Sequence, residues 1–296
     1  MRGTELNFGI PTCCILQENR CRKRSNMETK LFMLTEHSPF MMGFVFHTAG
    51  GKAIVVDGGR PEDMPYLLEL VGDREIALWL LTHPHFDHFS GFNQVIRDPA
   101  IRERVKLVCH HFPSVEFVRK CEPQWEEDIL TFAENRVLFL SKEALGEPGM
   151  KFFVDELMVE ILYYGGERHY LPKPNLAVNE SSMAFKVTGE GLRSVLFLGD
   201  LGPEGGRELL ALCPEKLPSD IVQMAHHGHS GVTEEVYQKI HPTACLWCAP
   251  EWLWNEADVE FEPELWGTLH TRGWMEKMGV TEHYVTKDGT LEIPLK

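Results

Sequence analysis

The chain has 296 residues, 43% of them hydrophobic and 25% charged, the proportions of an ordinary globular protein with room for a large core. The formal net charge is −15, and the only basic cluster is Arg20, Arg22, Lys23 and Arg24, so tight binding of long nucleic acid is not expected. Apolar runs reach about seven residues against the roughly 20 of a membrane helix, and no secretory apolar segment occurs, so the expectation is a cytoplasmic protein without membrane attachment.

In chain order, residues 1–28 are polar and read as a disordered leader, with Met27 as an alternative start, ahead of one domain over 29–296. Strands are expected at 30–34, 43–47 and 53–56, the last running into the sharp turn Asp57-Gly58-Gly59. Pro61 opens a helix to about 71. The apolar run 76–81 reads as a buried strand, followed by a short helix over 92–96 and a strand over 106–109. A helix over 114–135 and a loop over 141–151 end the first half. Strands at 158–163, 182–187, 194–198, 220–225 and 243–249 then alternate with helices at 204–213 and 233–240. A last helix over 263–278 precedes strands 284–286 and 290–293, joined by the hairpin signal Lys287-Asp288-Gly289. The eight cysteines are too sparse for a disulfide scaffold. Cys245 and Cys248 have metal-pair spacing, but residues three apart on a strand face opposite sides, so they read as core thiols of a reducing compartment.

Chemistry gathers at the strand ends. Thr82-His83-Pro84-His85-Phe86-Asp87-His88 places four metal-capable side chains in six residues directly after a buried strand. One ion cannot easily take all four donors from so short a loop, whereas two neighbouring ions can share them. Asp57, Asp200 and the pair His226-His227 follow other apolar strands. Lone carboxylates and paired histidines after strands are the pattern of a split metal site assembled from distant loops. Turn chemistry at Asp57 and helix capping at Asp200 are the plainer readings of those two residues.

These segments resemble the metallo-β-lactamase fold, an α/β four-layer αββα sandwich, and are most similar to the hydrolase domain of the DNA-uptake channel family, the ComEC type. The matching stretches are Val56-Asp-Gly-Gly59, Leu81-Thr-His-Pro-His-Phe-Asp-His88 with Gly91, Asn179-Glu-Ser-Ser182, Leu198-Gly-Asp200, Ala225-His-His-Gly228 and Val285-Thr-Lys-Asp-Gly289. The resemblance implies that His83 and His85 bind a first ion, Asp87 and His88 a second, and that Asp200 bridges them. It gives Asp87 and Asp200 to the catalytic centre. One of His226 and His227 completes the second site, with His226, the first after the strand, preferred. Asp57 would orient a ligand histidine by accepting its free N–H. Many superfamily members carry a further histidine where this chain has Asn179, which is then a weak ligand or a substrate contact. His169, His110 and His111 are alternative donors.

The expected function is a metal-dependent hydrolase using a metal-activated water, with two divalent ions, Zn²⁺ ahead of Mn²⁺. His85 stands where di-iron redox members of the superfamily carry a glutamate, which favours hydrolysis. A phosphodiesterase acting on a small or short single-stranded phosphodiester fits the acidic surface. The alternatives are hydrolysis of a thioester, lactone or lactam, and a non-catalytic metal-binding interaction module. Substrate choice falls to the loops at 110–181 and 250–262, where Trp252 and Trp254 could stack on a ring.

Overall fold

In the computed structural model, which describes residues 28–168, 176–257 and 265–296, the chain builds two seven-stranded sheets in two matched passes. The first pass contains β1 (Lys30–Met33), β2 (Gly43–His47), β3 (Ala53–Asp57), α1 (Met64–Val71), β4 (Ile76–Leu80), α2 (Phe86–Val95), α3 (Pro99–Arg104), β5 (Val108–His110), α4 (Val115–Cys121), α5 (Glu126–Phe139) and β6 (Glu143–Leu145). The second contains β7 (Lys151–Val154), β8 (Leu157–Tyr164), β9 (Met183–Gly189), β10 (Val195–Phe197), α6 (Pro203–Leu212), β11 (Ile221–Gln223), α7 (Glu234–Ile240), β12 (Ala244–Trp247), α8 (Glu251–Trp254), α9 (Thr268–Lys277) and β13 (Glu282–Val285). β14 (Leu291–Ile293) follows. The expected leader, apart from Glu28, lies outside the described residues, as do His169 and the expected start of the last helix at Pro263.

One sheet has the order β14-β1-β2-β3-β4-β5-β6 and the other β13-β12-β11-β10-β9-β8-β7. In each, the early strands pair antiparallel and the later ones parallel, except that β14 runs antiparallel to β1. The parallel strands β3, β4, β10, β11 and β12 are nearly buried throughout, because helices cover one face and the opposite sheet the other. Side chains alternate accordingly. Ile54, Val56, Leu78, Leu80, Leu246 and Phe197 fill the layer between the sheets. Val55, Trp79 and Val108 pack under the helices of the first sheet, and Cys245, Trp247 and Val222 under those of the second. The result is the expected four-layer αββα sandwich. Cys245 and Cys248 do fall on opposite faces, both buried and unbridged. Among the described residues no helix is long and apolar enough to cross a membrane.

Four elements differ from expectation. The helix read at 92–96 begins at Phe86, so Asp87 and His88 stand in its first turn. The helix read over 114–135 breaks at Pro123, which cannot donate an N–H, and Glu122 before it adopts φ −144°, ψ 67°. The loop read over 141–151 contains β6 and the start of β7. The closing hairpin is absent: β13 pairs with β12, while β14 crosses to the other sheet and pairs with β1. Its turn signal marks a short 3-10 turn that changes sheets, and local turn chemistry cannot tell the two apart.

Candidate metal centre

The ends of β3, β4, β10 and β11 meet at one edge of the sandwich. Asp57 ends β3 with a left-handed φ of 52°. Its Oδ1 accepts the Thr82 backbone N–H at 2.8 Å, and its Oδ2 accepts the Thr82 hydroxyl at 2.8 Å and His88 Nδ1–H at 2.8 Å. The first segment after β4 is thereby fixed to β3. His83 and His85 follow, His85 extended at the head of α2, and the first turn of α2 carries Asp87 and His88.

Each of four histidines has its outer nitrogen on a buried acceptor. His83 Nδ1 is 3.2 Å from Thr82 Oγ1, whose own proton goes to Asp57. His85 Nε2 donates to Glu122 Oε2 at 2.8 Å, His88 Nδ1 to Asp57, and His227 Nδ1 to the Cys248 carbonyl at 2.8 Å. With the outer nitrogens used, each inner nitrogen is left for a proton or a metal ion. They converge. His83 Nε2 lies 3.1 Å from His85 Nδ1 and 3.8 Å from Asp200 Oδ2. His88 Nε2 lies 3.5 Å from Asp87 Oδ2 and 3.3 Å from Asp200 Oδ2, and His227 Nε2 3.2 Å and 3.5 Å from the same two atoms.

The donors form two groups, His83/His85/Asp200 and Asp87/His88/His227. Donors around one tetrahedral ion sit about 3.4 Å apart at metal–ligand distances of roughly 2.0–2.2 Å. The second group together with Asp200 Oδ2 matches that spacing. Asp87 Oδ2, Asp200 Oδ1, His88 Nε2 and His227 Nε2 are buried and make no hydrogen bond. Of these, Asp87 Oδ2, His88 Nε2 and His227 Nε2 face one another around Asp200 Oδ2, which fits a group that binds between them.

Without an ion, the carboxylates favour protons at two of these inner positions. Burial opposes charge on His88, but the Asp200, Asp87 and Asp57 carboxylates hold its pKa well above the usual value. For His227 burial is again opposed, chiefly by Asp200, and the pKa is pushed up to about 9. Burial and the neighbouring His88 hold His83 well below. The Asp200 carboxyl, though buried, is held well below its usual range by His88 and His227.

Sequence order made His226 the preferred ligand of the pair, and the structure turns His227 inward instead. β11 ends at Gln223, and His226 and His227 both take left-handed conformations, φ 50° and 57°. That turn points the two rings apart, with centroids 6.3 Å from each other. His226 Nε2 faces the Asn179 amide nitrogen at 3.1 Å, its ring lies 4.1 Å from that of His229, and burial pushes its pKa down to about 4. Gly228 completes the turn at φ 93°, where a Cβ would sit 2.4 Å from the Trp247 ring, so no larger residue fits.

The segment Asn179-Glu-Ser-Ser182 divides its tasks. Asn179 is buried against His226 and belongs to neither donor group. The buried Glu180 carboxylate accepts backbone N–H groups of Gly202, Glu204 and Gly205, capping the start of α6. Ser182 Oγ accepts the Asp200 N–H at 3.0 Å and so places that carboxylate. Glu122 behind His85 has no signal in the sequence beyond a charge before a proline. His110 is taken up by Glu143 at 2.7 Å, and His111 stacks on Tyr164 at 3.4 Å. Phe40 packs 4.0 Å from the His227 ring and 6.0 Å from Trp252, which is 41% exposed at the rim. Trp254 packs edge-on to Trp247 under Arg272.

Comparison with known proteins gives the same picture. The chain superposes on the metallo-beta-lactamase fold protein YhfI from Bacillus subtilis with a TM-score of 0.55 at 12% identity, over 90% of this chain and 100% of that one. It superposes on CmlA, a diiron beta-hydroxylase from Streptomyces venezuelae, with a TM-score of 0.53 at 15% identity, over 92% of this chain and 55% of that one. These likenesses concern the fold. No curated protein matches the chain. Residues 43–241 match the family profile of the metallo-beta-lactamase superfamily, and the chain belongs to that superfamily.

Proposed function

We propose that the chain is a dinuclear metal-dependent hydrolase acting on a small or short single-stranded phosphodiester. The observation that carries this reading is convergence: four buried histidines, each held from behind, turn their inner nitrogens toward two buried carboxylates. His83, His85 and Asp200 would hold one ion, and Asp87, His88, His227 and the same Asp200 the other. The mixed imidazole and carboxylate set suits Zn²⁺ first and Mn²⁺ second. Bound there, two divalent ions would supply a water activated at neutral pH and positive charge for the substrate's oxygens.

The protein's own part is to orient and to exclude. Asp57, Glu122, Thr82 and the Cys248 carbonyl hold the rings. Asn179 holds His226 beside the centre, and Phe40 packs on the His227 ring with Trp252 beyond it. Asp87 and Asp200 are the carboxylates in the two donor groups, while Asp57 and Glu122 lie behind the rings, so two divalent ions would face the substrate with positive charge that their direct ligands only half offset. A cationic centre favours an anionic phosphodiester over a neutral thioester, lactone or lactam. The −15 net charge disfavours long nucleic acid. Within the superfamily we place the chain nearest the ComEC type, on the Asn179 and Ala225-His-His-Gly228 segments.

The test is a panel of an aryl phosphodiester, a dinucleotide, a thioester and a lactam, each given to protein loaded with counted Zn²⁺ or Mn²⁺. Phosphodiester turnover that stops on chelation and returns with metal is expected. Turnover of the thioester or lactam alone would replace the substrate class. One tight ion and no turnover would point to a non-catalytic metal module.

A further inference from the structure

The two donor groups are not equal. The second has four donors at tetrahedral spacing, Asp87, His88, His227 and Asp200. Among the described residues the first has His83, His85 and Asp200, and the nearby Asn179 side chain is engaged with His226. A site with fewer protein donors depends more on the quality of each one. The geometry points to Glu122 as the positioning residue that makes the first site bind metal and joins it to the 178–182 turn. This inference rests on the dinuclear reading above.

Glu122 is 0% exposed, and both its oxygens are used. Oε2 accepts from His85 Nε2 at 2.8 Å, and Oε1 accepts the Val178 N–H at 2.9 Å. Among the described residues no Lys or Arg lies within ion-pair distance of it, its one titratable partner being His85. A buried carboxylate without a cation is costly, and an imidazole alone compensates it poorly. An ion on the far nitrogen of that imidazole offsets the charge through the ring, and the carboxylate in turn makes the ring a stronger donor.

The comparison with Asp57 sharpens the role. Asp57 stands behind His88 in the same way but is anchored to Thr82 within its own sheet. Glu122 instead reaches the Val178 amide, at the entry to the turn whose Asn179 holds His226, whose Glu180 caps α6 and whose Ser182 places Asp200. Filling the first site should therefore tighten that turn, because His85, Glu122 and Val178 are linked by two short hydrogen bonds.

The experiment needs no substrate. Zn²⁺ is titrated into the wild-type full chain and into Glu122→Gln by chelator competition, with melting temperature recorded. The two donors sit on separate oxygens of Glu122, and glutamine turns one of these into an NH2 that cannot accept. The weaker ion should lose about 10–100-fold in affinity while the tighter one is unchanged. In the wild type, amide exchange at 178–182 should slow on the second equivalent of Zn²⁺ and not on the first. Unchanged affinity of the weaker ion, or equal loss at both sites, would overturn the inference. Should the variant not fold, the wild-type exchange decides: no added protection on the second equivalent overturns it. A protein that binds two ions in this way but hydrolyses nothing would remove the hydrolase reading and leave this one standing.

Discussion

His226 and His227 are adjacent in the chain, and the left-handed turn gives them different surroundings. A left-handed conformation costs a non-glycine residue about 1–3 kcal/mol, and such strain persists where surrounding structure holds it in place. Replacing His227 with Ala should cost the tighter ion more than the about 10–100-fold that loss of an outer partner costs. His226→Ala should leave both ions bound and reduce turnover, since its ring faces Asn179 rather than the donor groups. Chelator competition on the two variants separates the roles, and loss of an ion in His226→Ala would reverse them. Asp200→Ala should weaken both ions and keep the fold, because its Oδ2 faces three imidazoles but carries none of the apolar core. Two ions still bound at wild-type affinity would rule out a bridging carboxylate. The clustering of metal-capable side chains in the His83–His88 stretch was legible in the sequence because their spacing is local. The choice of His227 was not, because it depends on a backbone turn that alternation along a strand does not describe. Glu122 was invisible for a related reason, since its partners lie 37 and 56 positions away.

At the scale of elements, the core strands were readable because burial on both faces leaves continuous apolar runs, as in β3 and β4. Connections were less so. The start of α2 was hidden by its composition: metal-capable residues fill its first turn in place of an amphipathic pattern. The sheet change between β13 and β14 is a tertiary choice made by pairing with β1. Two polar ties between elements yield predictions. Glu180 satisfies three backbone donors at the head of α6, so Glu180→Ala should destabilise the protein by about 1–3 kcal/mol in denaturant unfolding. A change within error would mean that water replaces it. Glu143 on β6 joins His110 of β5 to Arg136 of α5. Its hydrogen bond from His110, then that from Arg136, lowers its pKa from 4.5 to about 2 against the effect of burial. A depressed folded-state value adds stability that is present above 4.5 and lost as pH falls through about 2. The β5–β6 edge should therefore loosen over that window, and Glu143→Gln should flatten this part of the acid unfolding curve. An unchanged curve would assign the acid loss to the metal-centre carboxylates.

Over the whole molecule, the two sheets have the same plan, and each sends its parallel strands to the same edge, so the centre forms only when both halves are packed. Metal binding and folding are then linked, and pH acts on both. Without metal, His227 has its pKa pushed up to about 9 and His88 is held well above the usual 6.5, in each case by carboxylates acting against burial. A raised folded-state value contributes stability that is complete below 6.5 and lost as pH rises through about 9. The metal-free protein should therefore lose stability across that interval. An ion takes the same lone pairs and displaces both protons, so the loaded protein should not show this loss. The gap in melting temperature between loaded and metal-free protein is expected to widen from pH 6.5 to 9. The apparent affinity of the tighter ion should rise over the same range, by about tenfold per pH unit for each proton displaced. Calorimetric melting and chelator competition at matched pH values measure the two trends. A constant gap together with a pH-independent affinity would mean that the ion does not bind through His88 and His227, and the ligand set would have to be redrawn around His83, His85 and Asp200.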